Sequence, residues 1–384
     1  MARTIVLLFD GTSNEISEDR TNILRLYGTL QKSPSQIVYY DPGVGTMGMP
    51  SWSKLAQQAS EVFQMATGRG LDANVKEAYR FLVETCDRVD GRVVDRICLI
   101  GFSRGGYTAQ VLAGFLHAFG LMAPRNLNLL DYAYRAFKCI DQAASPASCA
   151  EIDLFQRVIR PDRAPVAFVG LFDAVASVIE SGRFGPRLRN HAFTSQNPSV
   201  AVLRHAVALS ERRTMFRPLL WPEGQDYNPL GRAAAAAGAT AEQNQKQDHK
   251  EVWFYGYHAD IGGGLPDRSS ALAKVPLRWM IREMEAAGLT HDPGVVAQLV
   301  EEASGDYVAP DPRGKAHDSM TMLWKLLEWM PRRRAAGSTR RAVLGWTIPR
   351  AEPRRPSEGA RIHRSVLEAG RRLTHGPTKY RVED

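Results

Sequence analysis

Ser103 sits in Gly101-Phe102-Ser103-Arg104-Gly105, a G-x-S-x-G pentapeptide. The apolar run Ile97-Cys98-Leu99-Ile100 precedes it, and an apolar-rich segment from Tyr107 to Phe119 follows. Strand, sharp turn and helix make the context in which such a serine acts as a nucleophile, because the glycines let the two backbones pass closely while the turn holds the hydroxyl out. A serine hydroxyl is a weak nucleophile until a base takes its proton, and an imidazole base needs a carboxylate to fix its tautomer. Asp173 closes the apolar run Pro165 to Phe172, and His258 follows Glu251 to Tyr257. Serine, acid and base therefore come in that chain order, each at the end of an expected strand. Acyl transfer also needs two donors aimed at the oxyanion. The Arg104 backbone N–H, directly after the serine, would be one; Gly11 or Thr12, in the loop after the first strand, would give the other.

Rival assignments exist for several of these residues. Asp260, close behind His258, is a competing acid, and it equally suits a side chain bonded to backbone in the Gly-rich turn His258 to Gly264. His317, in Ala316-His317-Asp318-Ser319, is a competing base. Asp10 could ligate a metal or hold its own turn. Three classes of function remain open on residues alone. The first is a serine ester hydrolase, which calls for no metal and no cofactor. The second is a non-catalytic protein that uses the same site as a binding pocket. The third is a metal-assisted phosphoesterase built on Asp10, Asp41, Asp260 and His258.

The elements that must position these groups follow from the apolar runs. Thr4 to Phe9 is continuously apolar after its first residue, as for a strand buried on both faces, and it ends in Asp10-Gly11-Thr12-Ser13-Asn14. Ile37 to Tyr40 reads as a second strand. Residues 54–66 and 71–88 read as helices, the latter with Val75, Ala78, Tyr79, Leu82 and Val83 on one stripe. Most of 128–160 is expected to be helical, as are Pro198 to Ser210 and the amphipathic 275–287, which Gly288 stops. Strands alternating with helices argue an α/β fold, a mostly parallel central sheet with helices on both faces. Active groups in such sheets gather outside the carboxyl ends of the strands, where Asp10, Ser103, Asp173 and His258 fall.

The chain has 384 residues, 44% hydrophobic and 23% charged, which suits a large buried core. Its start, MARTIVLLFD, lacks the features of a cleaved signal peptide, and no apolar stretch is long enough to span a bilayer. Cys86, Cys98, Cys139 and Cys149 form no CxxC pair and read as reduced packing residues. Synthesis in a cytoplasm is expected, with export by a route that cleaves no signal left open. The net charge of +8 is concentrated late in the chain, in Arg332-Arg333-Arg334, Arg340-Arg341, Arg350, Arg354-Arg355 and Arg371-Arg372. A solvated tail is the plain reading. Peripheral contact with an anionic membrane is the sharper one, and nucleic acid is not expected. Residues 1–330 are expected to form the core domain and 331–384 a weakly packed, Arg/Pro-rich extension. The irregular segment 182–248, which includes the low-complexity Arg232 to Gln247, is expected to be an insertion that covers the site and sets selectivity.

Five blocks carry a resemblance: FDGTSNE at 9–15, YYDPGVGT at 39–46, GFSRGGYTA at 101–109, VGLFDAVASV at 169–178 and YHADIGGG at 257–264. In this order they resemble the uncharacterised α/β-hydrolase domain family that includes the type VI secretion phospholipase effectors of bacteria. The resemblance implies an α/β-hydrolase-like core and a Ser-Asp-His triad acting on ester bonds of lipids. Carried over, the nucleophile falls on Ser103, the acid on Asp173 and the base on His258. An immunity or secretion partner is in keeping with such effectors.

Overall fold

The computed structural model describes residues 2–11, 19–43, 70–140, 146–175, 179–182, 185–188, 191–229, 245–303, 305, 307–334, 338–370 and 376–384. Its centre is an eight-stranded sheet formed by β1 (Thr4–Phe9), β2 (Gln36–Asp41), β3 (Arg96–Phe102), β4 (Val166–Phe172), β5 (Val200–Ala208), β6 (Asp248–Phe254), β7 (Arg361–His363) and β8 (Arg381–Glu383). The order across the sheet is β8-β7-β6-β5-β4-β3-β1-β2, and each neighbouring pair is parallel. Register aligns the carboxyl ends. Phe9 faces Gly101, Phe102 faces Phe172, Phe172 faces Ala206, and Ala208 faces Phe254. The residues that follow β1, β3, β4 and β6 therefore leave the sheet along one edge.

Successive side chains of a strand point to opposite faces, and a sheet covered on both faces needs apolar residues at every position. In β1, Ile5, Leu7 and Phe9 enter one core while Val6 and Leu8 enter the other, all at most 1% exposed. The first core is closed by α2 (Leu71–Thr85), α3 (Arg104–Phe119), α4 (Leu130–Lys138) and α5 (Pro146–Ile159), following α1 (Asn22–Thr29) in the chain. The second is closed by α1, α6 (His258–Gly262) and α7 (Lys274–Ala286), with Ile23, Ile261, Leu277 and Met280 buried in it. Later in the chain come α8 (Met322–Glu328) and α9 (Arg364–Glu368). The α/β class with helices on both faces is what the apolar runs required.

One expected helix is a strand. Residues 198–210 contain β5, which pairs with β4 and β6 in mid-sheet. Alanine, arginine and histidine in VAVLRHAVA favour the helical reading, but the two polar residues are each tied down across strands. Arg204 bonds Asp248 at 2.6 Å and also pairs with Glu283, and His205 reaches Glu251 at 3.0 Å. Those partners lie far away in sequence, so the local pattern gave no sign of them. The helix expected at 54–66 and most of 232–247 lie outside the described residues.

Weak packing was expected beyond 331, yet this region supplies β7 and β8. Ile362 is fully buried against Val207, Trp253 and Val366. A dense Arg and Pro background masked two strands of three residues each. Truncating a buried Ile to Ala typically costs about 2–5 kcal/mol. Ile362→Ala is therefore expected to lower the urea midpoint of the whole protein in a single transition. A separate early transition, with the main one unmoved, would show that this edge unfolds independently.

Candidate active site

Ser103 lies between β3 and α3 at φ 57° and ψ −121°, a region of backbone space that L-residues rarely occupy. The flanking glycines make this turn feasible. A Cβ on Gly105 would stand 2.2 Å from the Phe9 carbonyl oxygen, and one on Gly101 would stand 2.5 Å from the Gly105 backbone. The turn is pinned by the Ser103 N–H, which donates to the Phe172 carbonyl at 3.0 Å. The hydroxyl ends up at the sheet's carboxyl edge, with the residue 9% exposed.

Asp173 follows β4, is fully buried, and also takes a positive φ, 42°. Its neighbour in the turn is held from behind: the Ala174 N–H donates to His205 Nε2 at 3.1 Å, which leaves His205 Nδ1 to donate to Glu251. The Asp173 carboxylate accepts from the Ala208 N–H at 2.9 Å and from His258 Nδ1 at 2.6 Å. A carboxylate only accepts, so the imidazole proton sits on Nδ1. In the neutral ring Nε2 is then free to accept, and Ser103 Oγ lies 2.8 Å from it. His258 opens α6, and its ring stands between Phe102 and Phe216, with centroids 4.8 and 4.9 Å away. Its backbone N–H donates to Glu211, a buried carboxylate that also takes a bidentate pair from Arg213. Burial would raise the Glu211 carboxyl, but Arg213 outweighs it and holds the group at about 2.

A third group meets the Asp173 carboxylate. Arg354 places Nη1 at 2.5 Å from Oδ1 and Nη2 at 3.1 Å from Oδ2, and also donates to the carbonyls of Ala208 and Phe216. Its side chain is 7% exposed. Burial alone would push the Asp173 carboxyl up. The Arg354 charge, followed by the bond from His258, reverses that and holds the carboxyl well below the usual carboxylate range. Arg354 stands in the Arg/Pro-rich extension, and nothing in its neighbourhood marks it out from the arginines around it.

The other sequence candidates are separated by the fold. Asp260, also fully buried, bonds His317 Nδ1 at 2.8 Å and the backbone N–H groups of Tyr257 and His317. It thus ties the first turn of α6 to a distant segment and does not touch His258's ring nitrogens. Asp10 accepts from Thr21 Oγ1 at 2.5 Å, from the Tyr40 hydroxyl at 2.9 Å and from its own neighbour, the Gly11 N–H, at 2.7 Å. Burial, then the Asp10 charge, pushes the Tyr40 phenol above its ordinary range, so it remains a donor. Asp41 accepts from the Gly43 N–H and from Asn74. Among the expected oxyanion donors, Arg104 is the first residue of α3 and Gly11 is engaged by Asp10, while Thr12 lies outside the described residues.

Comparison with known proteins adds a family. A family model described as T6SS, Phospholipase effector Tle1-like, catalytic domain, matches residues 3–283. That range takes in Ser103, Asp173 and His258 and stops short of Arg354. An uncharacterized protein of Saccharomyces cerevisiae is 30% identical over 232 residues, 56% of this chain and 32% of the relative, so the chain spans about a third of that protein. Two solved structures are similar at 18% identity each. One is an uncharacterized protein from Pseudomonas aeruginosa, with 77% of this chain and 48% of that chain covered at a TM-score of 0.41. The other is the Tle1 effector bound to the VgrG spike from the Type 6 secretion system, with 71% and 53% covered at a TM-score of 0.34. This chain spans about half of each.

The depressed Asp173 carboxyl has a consequence for acid stability. A group whose folded pKa lies below its unfolded value, about 4 for Asp, contributes stability that is fully present above that value and is lost as pH falls through the folded one. Replacing Arg354 by Met removes the charge that holds the carboxyl down. Arg354→Met is expected to cost about 3 kcal/mol at pH 7, since it breaks a buried pair, and to begin its acid unfolding at higher pH than the parent. Urea midpoints measured from pH 2 to 7 test this; parallel curves for the two proteins would contradict it.

Proposed function

The chain belongs to the Tle1-like phospholipase effector catalytic domain family, and from that premise we propose that it is a serine hydrolase of lipid carboxylic esters, with phospholipids as the leading substrates. The observation that carries this reading is the pair of contacts through His258: Ser103 Oγ at 2.8 Å from Nε2 and Asp173 Oδ2 at 2.6 Å from Nδ1. In the proposed reaction His258 takes the Ser103 proton as Oγ attacks the ester carbonyl. Asp173 holds the imidazole in the tautomer that accepts at Nε2 and stabilises the imidazolium that forms. The Arg104 N–H, in the first turn of α3, faces the developing oxyanion from the positive end of a sixteen-residue helix. The residues after β1, Gly11 and Thr12, supply the second donor, for which Gly11 must release or share its bond to Asp10. His258 then protonates the leaving alcohol, and water hydrolyses the acyl-Ser103 ester by the reverse sequence of proton transfers. Synthesis in the cytoplasm, export in a secretion system and a protective partner in the producing cell belong to the same proposal.

Residues that act as a unit lose nearly all activity when any one is removed. Ser103→Ala, His258→Ala and Asp173→Asn are each expected to lower kcat on a soluble ester by about 10³-fold or more. Asp260→Asn and His317→Ala are expected to cost under about tenfold, because their contacts support α6 and not the imidazole. A fluorophosphonate should label Ser103, located by mass spectrometry of each serine peptide. Labelling elsewhere with Ser103 untouched, or full turnover in Asp173→Asn, would sink the assignment.

A further inference from the structure

The helix α8 is amphipathic in an unusual sense. Trp324 and Glu328 are buried, while Met322 (79% exposed), Leu326 (65%) and the residue that caps the helix's C-terminus, Trp329 (59%), form a stripe at i, i+4 and i+7 that faces away from the protein. The inner face is firmly seated. Glu328 accepts from both the N–H and the hydroxyl of Thr214, and Trp324 packs edge-on against Phe216, which also packs against the His258 ring. Next in the chain comes an antiparallel pair, Arg332–Arg333 with Trp346–Thr347. Its loop carries Leu344, 96% exposed at φ 51°, and Val343, 67% exposed. The groove beside the pair is lined by Pro331, Arg340, Arg341, Val343, Trp346 and Arg350, and the Arg350 guanidinium lies 5.0 Å over the Trp329 ring. The helix stripe and the hairpin thus adjoin.

Charge separates this surface from an ordinary apolar patch. Across 322–350 the sequence holds seven Lys and Arg, and its single carboxylate, Glu328, is turned inward at 1% exposure. Exposed apolar side chains interleaved with cations fit the boundary of a bilayer: the apolar groups enter the acyl region, tryptophan sits at headgroup depth, and arginines meet phosphates. We propose that the α8 stripe and the Arg332–Arg333/Trp346–Thr347 pair, with Val343 and Leu344 beside it, dock the protein on a bilayer of anionic phospholipid. This rests on the lipid-hydrolase reading for its purpose, since the docked face connects through Trp324 and Phe216 to His258. It makes no use of the nucleophile for its test.

The test is flotation with vesicles in the Ser103→Ala protein, so that no lipid is consumed. Vesicles of phosphatidylglycerol and phosphatidylethanolamine are expected to carry the protein, vesicles of phosphatidylcholine are not, and added salt should weaken the binding. Leu344→Asp suits a positive φ and a solvent-exposed loop, so folding is preserved; binding should fall about tenfold. Arg333→Glu with Arg341→Glu should lower it at least about thirtyfold. With Ser103 intact, both surface variants should cleave a soluble short-chain ester within about twofold of the parent. Equal flotation of parent and variants, equal binding to phosphatidylcholine, or no flotation at all overturns the docking surface. So does a concentration-dependent dimer that Leu344→Asp dissolves, which would assign the face to a second copy. Flotation as expected from a protein that labels no serine and cleaves no ester upholds the surface and overturns the hydrolase reading.

Discussion

A carboxylate taken entirely out of water must be met by donors or it will take up a proton, and Asp173 is the place where this protein meets that constraint. Four donors converge on its two oxygens: the Ala208 N–H, His258 Nδ1 and both terminal nitrogens of Arg354. They come from β5, from α6 and from the C-terminal extension. The anion therefore joins three separate parts of the chain. Its orientation sets the tautomer of His258, which in turn sets what Ser103 can do. A second buried pair, Glu211 with Arg213, repeats the arrangement one layer out and accepts from the His258 backbone.

The sheet makes this convergence possible. All eight strands run the same way, so backbone from distant parts of the sequence emerges at one edge. Two of the residues placed there, Ser103 and Asp173, have positive φ, and each is locked by backbone bonds to the adjoining strand. Strain at these turns is held by register and not by the Ser103 and Asp173 side chains. The same edge is covered from above by the 211–216 segment and α8, so Phe216 and then Trp324 stand between the imidazole and the apolar outer stripe of that helix.

Much of this was legible in the residues. Continuous apolar runs marked β1, β3, β4 and β6, and the residue ending each run was a functional type. G-x-S-x-G could be read because its glycines answer a steric demand inside five residues. β5 could not, since Arg204 and His205 are neutralised by Asp248, Glu283 and Glu251 across neighbouring elements. Chain order favoured Asp173 over Asp260 as the acid, but it left Asp260 as a rival, because each is an Asp beside an apolar segment. Only the fold turns one to His258 and the other to His317. Arg354 was hidden for a related reason: its meaning lies in a pairing across 181 residues of chain.

That long pairing bears on how the molecule is assembled. Synthesis runs from the amino end, and domains begin to fold as their early segments emerge. Ser103, Asp173 and His258 are all present before Arg354 leaves the ribosome. Until it arrives, Asp173 either waits in water or is covered without its cation, and the second state is the costlier one. Contacts of such large sequence separation also close late, after shorter loops have formed. The acid end of the site is therefore completed by a segment made long after the acid itself, and a chain not yet grown that far carries the three residues without the guanidinium that holds them in charge balance.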